Sequence, residues 1–297
     1  MSVETRTAPV WRACTSARHR RAEAARWVDG ALHFVDLSRG DLYRFRGLGG
    51  GPPTPLMRLG VPLGAAAPLA DGSGWVVAAG TGIARTGGRG GLEWLARPGD
   101  GSRRSLRMNG GACDPHGRFW AVSMEARAED GAGFLYRVDH DGTVSEVLDG
   151  LTAPGGPAFT SDGELMYLAD DALRTVHRHA VDPVTGGVGP AEVFARFAED
   201  EGRPAGMTVD DDGHLWVALR GGGRVVCLDV DGERLGTVQT PATDTTSVAF
   251  GCGLMFVTTA SHRLQRPGPL DGAVLASVTT VTAPPARSFG PHPVVRE

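Results

Sequence analysis

A unit of 40 to 50 residues repeats six times along this chain, and the repeat restricts the fold more than any other feature of the sequence. Each unit contains a run of small or apolar residues, a turn rich in aspartate and glycine, and an apolar strand with an aromatic residue. Asp-Gly between two apolar runs is a strong hairpin signal, because glycine supplies the positive φ that the turn requires. The turn glycines are Gly30, Gly74, Gly117, Gly163, Gly213 and Gly253.

Further strands follow the hairpin in most units. Residues 41–45, 134–139, 175–182 and 224–230 have the pattern of a third strand, and residues 191–197 have the pattern of a fourth. Six repeats of four short strands predict an all-β fold, a six-bladed β-propeller of four-stranded blades around a central pocket. We predict a single propeller domain over residues 1–297. About 15 residues at the N-terminus are candidates for closing the ring in the last blade, although no pattern specifies that pairing.

Composition and charge exclude several functions. All 30 basic residues are arginine, so the chain has no lysine for a Schiff base, a pyridoxal-phosphate anchor or a phosphate loop. The net charge of −4 predicts neither a nucleic-acid partner nor an anionic membrane partner. No apolar segment reaches the roughly 18 residues of a membrane span, and the N-terminus has no apolar signal-peptide core. Four widely separated cysteines predict reduced thiols in a cytoplasmic protein, and nothing in the sequence indicates an oligomeric state.

The innermost strand of each propeller blade lines the central channel, and the side chains at its start converge on one mouth. Glu23 and Asn109 are polar at this position, among neighbours that are small. Because an unpartnered buried carboxylate is costly, Glu23 is predicted to be a ligand, an acid/base group or a member of a hydrogen-bond network, with simple pairing to Arg26 or Arg107 as the structural alternative. Alignment of the six units at their turns gives this axial position as Glu23, Ala65, Asn109, Gly155, Ala205 and Thr246.

Four segments resemble the motifs of one family. Residues 22–27, AEAARW, resemble the motif GEGPRW, and residues 107–124, RMNGGACDPHGRFWAVSM, resemble RxNDGxxDPxGRxxxGTM. Residues 153–163, APGGPAFTSDG, resemble PNGxxxSxDG, and residues 203–219, RPAGMTVDDDGHLWVAL, resemble PDGMxxDxxGxLWVA. From about residue 20 to residue 290 the chain is thus similar to the senescence-marker-protein/gluconolactonase family, the regucalcin-like lactonases.

This resemblance implies hydrolysis of sugar lactones and related esters at a divalent cation, Ca²⁺ or Zn²⁺. In the family a Glu, an Asn and an Asp on the axis hold the metal, and the Asp is also the base for the attacking water. The Glu is retained as Glu23, whereas Gly155 stands at the position of the Asn and Ala205 at that of the Asp. Hard cations need several oxygen ligands, so we expect no cofactor, with a Ca²⁺ or Zn²⁺ ion at Glu23 as the alternative.

The resemblance also implies a substrate-binding role for three positions. The family's substrate-contacting Arg and Asn match Arg107 and Asn109, while Gly110 replaces the Asp that follows this Asn. Arg127 aligns near a family glutamate, which reverses the charge at that position. The substrate is therefore predicted to be a small molecule bound in a rebuilt pocket.

Three functions are compatible with these residues. The first is a lactonase or esterase with a rebuilt site, in which Asp170, Asp171 and His262 are further candidates because they follow second strands that end at the same mouth. The second is a metal-independent cyclase, isomerase or ring-opening enzyme of specialised metabolism, in which Glu23 is the general acid/base, a logic that resembles propellers of the strictosidine-synthase type. The third is a binding module without chemistry. We predict Glu23 and Asn109 as catalytic residues, and as substrate-binding residues Arg107, Arg127, Asp170, Thr246 and His262.

Overall fold

The structure of the protein is a computed structural model that describes residues 9–16, 18–49, 51–87, 91–100, 105–128 and 130–291. These residues form six four-stranded antiparallel sheets, which confirms the predicted six-bladed β-propeller. They form strands, turns and loops, and no helix among them could cross a membrane.

The blades follow the order of the chain, with the innermost strand first. Blade 1 contains β2 (Ala22–Val28), β3 (Ala31–Asp36), β4 (Asp41–Phe45) and β5 (Thr54–Arg58), and blade 2 contains β6 (Leu63–Pro68), β7 (Gly74–Ala79), β8 (Gly82–Gly87) and β9 (Leu92–Ala96). Blade 3 contains β10 (Leu106–Cys113), β11 (Phe119–Glu125), β12 (Gly133–Val138) and β13 (Val144–Leu151), and blade 4 contains β14 (Pro154–Phe159), β15 (Leu165–Asp170), β16 (Thr175–Ala180) and β17 (Glu192–Arg196). Blade 5 contains β18 (Arg203–Val209), β19 (Leu215–Arg220), β20 (Arg224–Leu228) and β21 (Arg234–Gln239), and blade 6 contains β22 (Thr245–Gly251), β23 (Leu254–Thr259), β24 (Val274–Val278) and β1 (Arg12–Ala13).

The first strand of the chain closes the ring. Strand β1 is the outermost strand of blade 6, where Arg12 pairs with Ala276 and Ala13 pairs with Leu275. The outer strand of the last blade thus comes from the opposite end of the chain. This pairing lies within the N-terminal segment that the sequence offered as the candidate for closure.

The cores of neighbouring blades are continuous. In one hydrophobic cluster Tyr167 of blade 4 packs with Val217 of blade 5, and in another Trp216 of blade 5 packs with Phe250 of blade 6. Trp216 and Phe250 meet edge to face, with ring centroids 5.2 Å apart. Burial of these apolar faces between blades holds the six sheets in a ring.

The segment after β24 crosses the face of the ring that carries the hairpin turns between first and second strands. It is attached to four blades by backbone hydrogen bonds, which join Asp211 to Thr282, Ala286 to Trp27, Phe289 to Pro68 and Gly290 to Gly117. Residues 283–287 line a small cavity on this side, together with Arg26 and Trp27. The segment therefore covers the channel on one face, and the cavity described below opens on the other.

His33 of β3 gives the fold a dependence on pH. Its side chain is buried against Trp75, and its Nδ1 has no hydrogen-bond partner in the described part of the chain. Burial, helped by Arg44 and opposed by Asp29 and a backbone hydrogen bond to Ala31, lowers its pKa to about 4. The unfolded chain has an ordinary histidine pKa near 6.5 and binds the proton more tightly, so stability is lost as pH falls from about 6.5 towards 4.

We expect His33→Gln to flatten the dependence of the melting temperature on pH between pH 6.5 and 4. Thermal unfolding across that range, with the exposed His116→Gln as the control, measures this effect. An unchanged slope in His33→Gln would contradict the assignment of the titration to His33.

Candidate functional site

A cavity of about 460 Å³ lies on the axis of the propeller, at the starts of the innermost strands. Its size is suitable for a small metabolite. Glycine and alanine form much of its wall and leave that space, as the sequence predicted, and they include Ala24, Gly64, Gly110, Gly111, Gly155 and Ala205. Charged side chains supply most of its polar surface, and seven of them are arginines, namely Arg21, Arg26, Arg107, Arg127, Arg203, Arg220 and Arg263.

The axial register predicted from the repeats holds in five blades and is wrong in blade 2. Glu23, Asn109, Gly155, Ala205 and Thr246 line the cavity. In blade 2 Gly64 lines it, whereas Ala65 is buried in a hydrophobic cluster. Gly64 is the bulged residue of β6, between Leu63 and Ala65, just as Asn109 is the bulged residue of β10, between Met108 and Gly110. The alignment at the turns is therefore one residue out of register in blade 2, and such a slip moves the predicted side chain to the other face of the sheet.

Glu23 is paired with an arginine that the sequence did not single out. Arg21 Nε donates to Glu23 Oε1 at 2.5 Å, and Arg21 Nη2 lies 3.5 Å from Asn109 Oδ1. Both side chains of the ion pair are largely buried, with exposed fractions of 8% for Arg21 and 12% for Glu23. A fixed cation therefore stands between the two residues predicted to be catalytic.

Asn109 holds Arg107 at the wall of the cavity. Arg107 Nη1 donates to Asn109 Oδ1 at 2.7 Å, and Asn109 Nδ2 donates to the carbonyl of Pro154 at 2.7 Å. Arg107 also contacts the sulfur of Met124 at 3.1 Å. Burial, with the nearby charges of Arg21, Arg263 and Arg220, lowers the Arg107 pKa to about 10, so the guanidinium is charged at neutral pH. Both sides of the Asn109 amide are occupied by protein groups, which makes it a positioning group for Arg107.

The buried carboxylate of Asp36 fixes the backbone at Arg21. It lies at the end of β3 and accepts from the backbone N–H groups of Arg20 at 3.0 Å and Arg21 at 3.3 Å. The corresponding residue of blade 4 is Asp170, at the end of β15, which accepts from the backbone N–H groups of Thr152 and Ala153.

Asp170 was predicted to bind substrate, and the structure does not place it in the cavity. Its carboxylate is buried and also accepts from the N–H groups of Ala172 and Leu173. Four backbone donors occupy it, so it braces the loop. Its neighbour Asp171 lines the cavity instead.

Of the other predicted substrate-binding residues, Arg127 and Thr246 line the cavity and His262 does not. Arg127 is an exposed residue of the cavity wall. Thr246 lines the cavity, but its hydroxyl donates to the carbonyl of Ala22 at 2.5 Å. His262 is not among the lining residues, and its Nδ1 lies 3.1 Å from the carbonyl of Arg20, whereas the next residue, Arg263, lines the cavity.

A second ion-pair group lies on the wall formed by blades 4 and 5. Arg220 Nη2 lies 2.9 Å from Asp171 Oδ1 and 2.8 Å from Oδ2, and Arg203 Nη1 lies 3.7 Å from Oδ1. Burial raises the pKa of Asp171, against the opposing effect of both arginines. Behind this wall Asp244 is buried and accepts from the backbone N–H of Gly221, and burial raises its pKa to about 6.

The axial residues offer few side-chain atoms that could bind a metal ion. Gly155 and Ala205 have no side-chain donor atom, and Glu23 Oε1 is already bound by Arg21. Elsewhere Asp210, Asp212 and His214 place one ligand atom each within 4.8 Å of one another. The Asp210 carboxylate there accepts from the backbone N–H groups of Asp212 and His214 and from the indole of Trp216, so it also supports the turn of blade 5.

Four arginines of the site, Arg21, Arg203, Arg220 and Arg263, were missed by reasoning from the sequence. The repeat contains a signal for two of them. Arg21 and Arg203 stand two residues before the axial positions of blades 1 and 5, as Arg107 does in blade 3. Arg220 ends a second strand and Arg263 lies in a loop, so the alignment of innermost strands does not reach them.

Sequence comparison relates the chain to known lactonases. Residues 21–261 match the family described as SMP-30/Gluconolactonase/LRE-like region. Pentonolactonase XacC from Haloferax volcanii is 41% identical over 172 residues, which are 54% of this chain and 58% of that protein. Regucalcin from Sus scrofa is 31% identical over 203 residues, which are 65% of this chain and 68% of that protein. The chain therefore spans about three fifths of the pentonolactonase's length.

Solved structures have the same fold over nearly the whole chain. The calcium-binding protein regucalcin from Agrobacterium tumefaciens aligns with a TM-score of 0.85 and 26% identity, covering 95% of this chain and 97% of that one. A luciferin-regenerating enzyme aligns with a TM-score of 0.86 and 24% identity, covering 95% of this chain and 99% of that one.

Proposed function

Because the chain belongs to the SMP-30/gluconolactonase/LRE-like family, we propose that it hydrolyses a small lactone or ester in the axial cavity, and that it does so without a divalent cation. The observation that carries the proposal is the contact of Arg21 with Glu23 and its approach to Asn109. A guanidinium carries positive charge permanently and offers several N–H donors, so it supplies the charge that a metal ion would otherwise supply.

The axial residues do not fit a Ca²⁺ or Zn²⁺ site. A hard cation takes six to eight oxygen ligands in the case of calcium and about four ligands in the case of zinc. The axis offers one carboxylate, Glu23, and an amide oxygen that already accepts from Arg107. The positive charge of Arg21, which contacts Glu23 Oε1, would also repel a divalent cation beside this carboxylate.

The side chains present support an addition of water to a carbonyl carbon. Glu23 Oε2 has no hydrogen bond from the described residues and can accept a proton from the attacking water. Arg107 lines the cavity, and its positive charge can stabilise the negative charge that develops on the carbonyl oxygen. Water adds to the carbonyl carbon, the ring C–O bond breaks, and the proton held by Glu23 passes to the leaving alkoxide. The product is the hydroxy acid.

Chelation tests the proposal. Protein treated with EDTA and dialysed is expected to open a lactone at the same rate as untreated protein, with glucono-1,4-lactone and its carboxylate-bearing relative glucaro-1,4-lactone as probes. Acid release recorded with a pH indicator measures the rate. A rate that falls by 10-fold or more after EDTA and returns with added Ca²⁺ or Zn²⁺ would contradict metal-independent hydrolysis.

Rebuilding the missing donors gives a second test. We expect calorimetric titration to detect no stoichiometric Ca²⁺ binding in the unaltered protein, because Gly155 and Ala205 offer no ligand atom. The variant Arg21→Ala/Gly155→Asn/Ala205→Asp should gain binding, since it removes the guanidinium and restores two oxygen donors. A Cβ at Gly155 would lie 3.3 Å from the carbonyl oxygen of Ala205, so the asparagine needs only a small shift. Tight Ca²⁺ binding by the unaltered protein would overturn the proposal.

A binding propeller without chemistry is the second candidate. It is favoured by the internal contacts of the two residues predicted to be catalytic, since Arg21 occupies Glu23 Oε1 and protein groups occupy the Asn109 amide. A cyclase or isomerase would use the same Glu23 proton transfer and would yield a product with no added water. Mass measurement of the product separates hydrolysis, which adds 18 Da, from isomerisation, which adds nothing, and from binding, which gives no product.

A further inference from the structure

The axial cavity carries an excess of positive charge in a protein whose net charge is −4. Seven of the lining residues are arginines, and two, Glu23 and Asp171, are carboxylates. Like charges gathered around one small cavity repel one another unless a bound anion offsets them. The charge of the cavity thus indicates an anionic occupant, although the composition of the whole chain does not.

Internal ion pairs account for only part of this charge. Arg21 pairs with Glu23, and Arg203 and Arg220 share Asp171. The remaining four arginines of the cavity form no ion pair with a carboxylate in the part of the chain that the structure describes. They are Arg26, Arg107, Arg127 and Arg263. Among the described residues these four guanidinium groups form no ion pair, although Glu23 acts on Arg107 and Asp171 and Asp244 act on Arg263 from a greater distance.

The unpaired charges affect one another. Burial, then the charges of Arg220 and Arg21, lower the pKa of Arg263, against the opposing effect of Asp171 and Asp244. Burial and the same neighbours act on Arg107. The cluster is electrostatically unfavourable as it stands, and a bound anion would relieve the repulsion.

Two of the unpaired arginines stand on opposite sides of the ring. Arg127 follows β11 of blade 3 and Arg263 follows β23 of blade 6, which is opposite to blade 3 in a ring of six. Both residues are exposed, and both line the cavity. A guanidinium presents parallel N–H donors that match the oxygens of a carboxylate or a phosphate, so each side of the entrance can hold one anionic group.

We infer that the cavity binds a small molecule with at least two carboxylate or phosphate groups, one held by Arg263 and one by Arg127. The space of about 460 Å³ admits a metabolite of this kind. This inference rests on the proposed function for the reacting end of the molecule, and it adds the substrate class. Hydrolysis of such a lactone would yield a hydroxy acid that carries one further carboxylate.

Calorimetric titration with three probes tests the inference: citrate, inorganic phosphate and uncharged glucose. We expect citrate to bind and glucose not to bind. Arg127→Gln and Arg263→Gln should each weaken citrate binding about 10-fold, because each removes a charge-assisted contact, and the double variant should weaken it about 100-fold. Neither side chain has a hydrogen-bond partner in the described part of the chain, so both variants should fold.

The matched control is Arg196→Gln, which removes an exposed arginine from the outer strand β17 of blade 4 and gives the same change in net charge. It should bind citrate like the unaltered protein. If citrate binds, and more tightly than phosphate, the sites are assigned to carboxylates. If citrate binds but phosphate binds more tightly, they are assigned to phosphates, and either result supports the inference. Loss of affinity in Arg196→Gln equal to that in Arg263→Gln, or no citrate binding at all, would overturn it.

The citrate-binding experiment and the lactone-opening experiment can fail independently of each other. Metal-independent opening of glucono-1,4-lactone without citrate binding would support the proposed function and overturn this inference. Citrate binding with the expected losses in Arg127→Gln and Arg263→Gln, but with no lactone opened, would do the reverse. If both hold, glucaro-1,4-lactone should be opened with a kcat/KM at least 10-fold above that of glucono-1,4-lactone, and Arg263→Gln should reduce that ratio.

Discussion

Glu23→Gln is expected to lower kcat for lactone opening by about 10²–10⁴-fold, because the variant keeps the shape of the side chain and loses its ability to accept a proton. The amide oxygen of the glutamine can still accept from Arg21 Nε, so the cavity should keep its geometry. KM should change little if Glu23 acts on water and not on the bound substrate. Steady-state kinetics on both lactone probes measures this effect.

The Glu23 experiment needs a control for stability, since Arg21 is buried and the variant leaves its charge without a carboxylate. Thermal unfolding of Glu23→Gln shows whether the protein remains folded at the assay temperature. Glu146→Gln, an exposed change in β13, controls for loss of a negative charge. A folded Glu23→Gln protein with an unchanged kcat would remove Glu23 from the chemistry.

Asp114→Ala is expected to lower the free energy of unfolding by about 3–5 kcal/mol. The Asp114 carboxylate lies in the turn of blade 3, where it accepts from Arg118 Nε at 2.6 Å and from the indole N–H of Trp120 at 3.0 Å. It also accepts from the backbone N–H groups of His116 and Arg118. Arg118 is 5% exposed, so the alanine variant leaves a buried positive charge without its countercharge.

Blade 5 contains an aspartate that can be compared directly with Asp114. Asp210 of blade 5 accepts from the indole of Trp216 in the same way, but its other side-chain partner is His214, which is 30% exposed and can be neutral. Asp210→Ala should therefore cost only about 1–3 kcal/mol, the penalty for unsatisfied polar groups. Urea unfolding of both variants measures the difference. Equal losses would show that the buried guanidinium is not the source of the larger effect.

The fold could be predicted from the sequence because each blade is specified locally. A glycine with positive φ at each turn, such as Gly30 or Gly213, and an apolar strand on either side define a hairpin without reference to the rest of the chain. In blade 2 this glycine is Gly72, and the prediction of Gly74 was wrong, since Gly74 begins β7. Ring closure could not be predicted in the same way. Strand β1 contains two residues, Arg12 and Ala13, and two residues carry no alternation of polar and apolar side chains.

The site was less predictable, for two physical reasons. The alignment at the turns used Gly74 in blade 2, whereas the turn glycine with positive φ is Gly72, so the alignment gave Ala65 where Gly64 lines the cavity. Asp170 has the residue type and sequence position of a substrate-binding group, yet its carboxylate accepts hydrogen bonds from backbone N–H groups. The carboxylate of Asp36 in blade 1 does the same. Only the three-dimensional structure distinguishes a carboxylate that binds a loop from one that faces a ligand.

The arginine cluster was hidden for a different reason. The arginines are spread along the sequence and show no cluster there, whereas the structure brings seven of them together around the axial cavity. Three of the seven arginines occupy the same place in alternate blades, two residues before the axial position, as Arg21, Arg107 and Arg203. The same position in blade 6 is Asp244, so comparison of the six units predicts three arginines and one carboxylate around the axis.

The segment that crosses the turn face has a consequence for how the protein is made. It joins blades 5, 1, 2 and 3, and strand β1 of the N-terminal region completes blade 6 against β24. Both the crossing segment and the β1–β24 pairing bring together residues that are more than 200 positions apart in the chain. Ala286 contacts Trp27, and Arg12 pairs with Ala276. On the ribosome each early blade can form its own hairpins, but the ring can close only after β24 has been synthesised, and the segment across the turn face is complete only after residue 290. A chain halted before β24 would lack the strand on which β1 closes blade 6, so its ring would stay open.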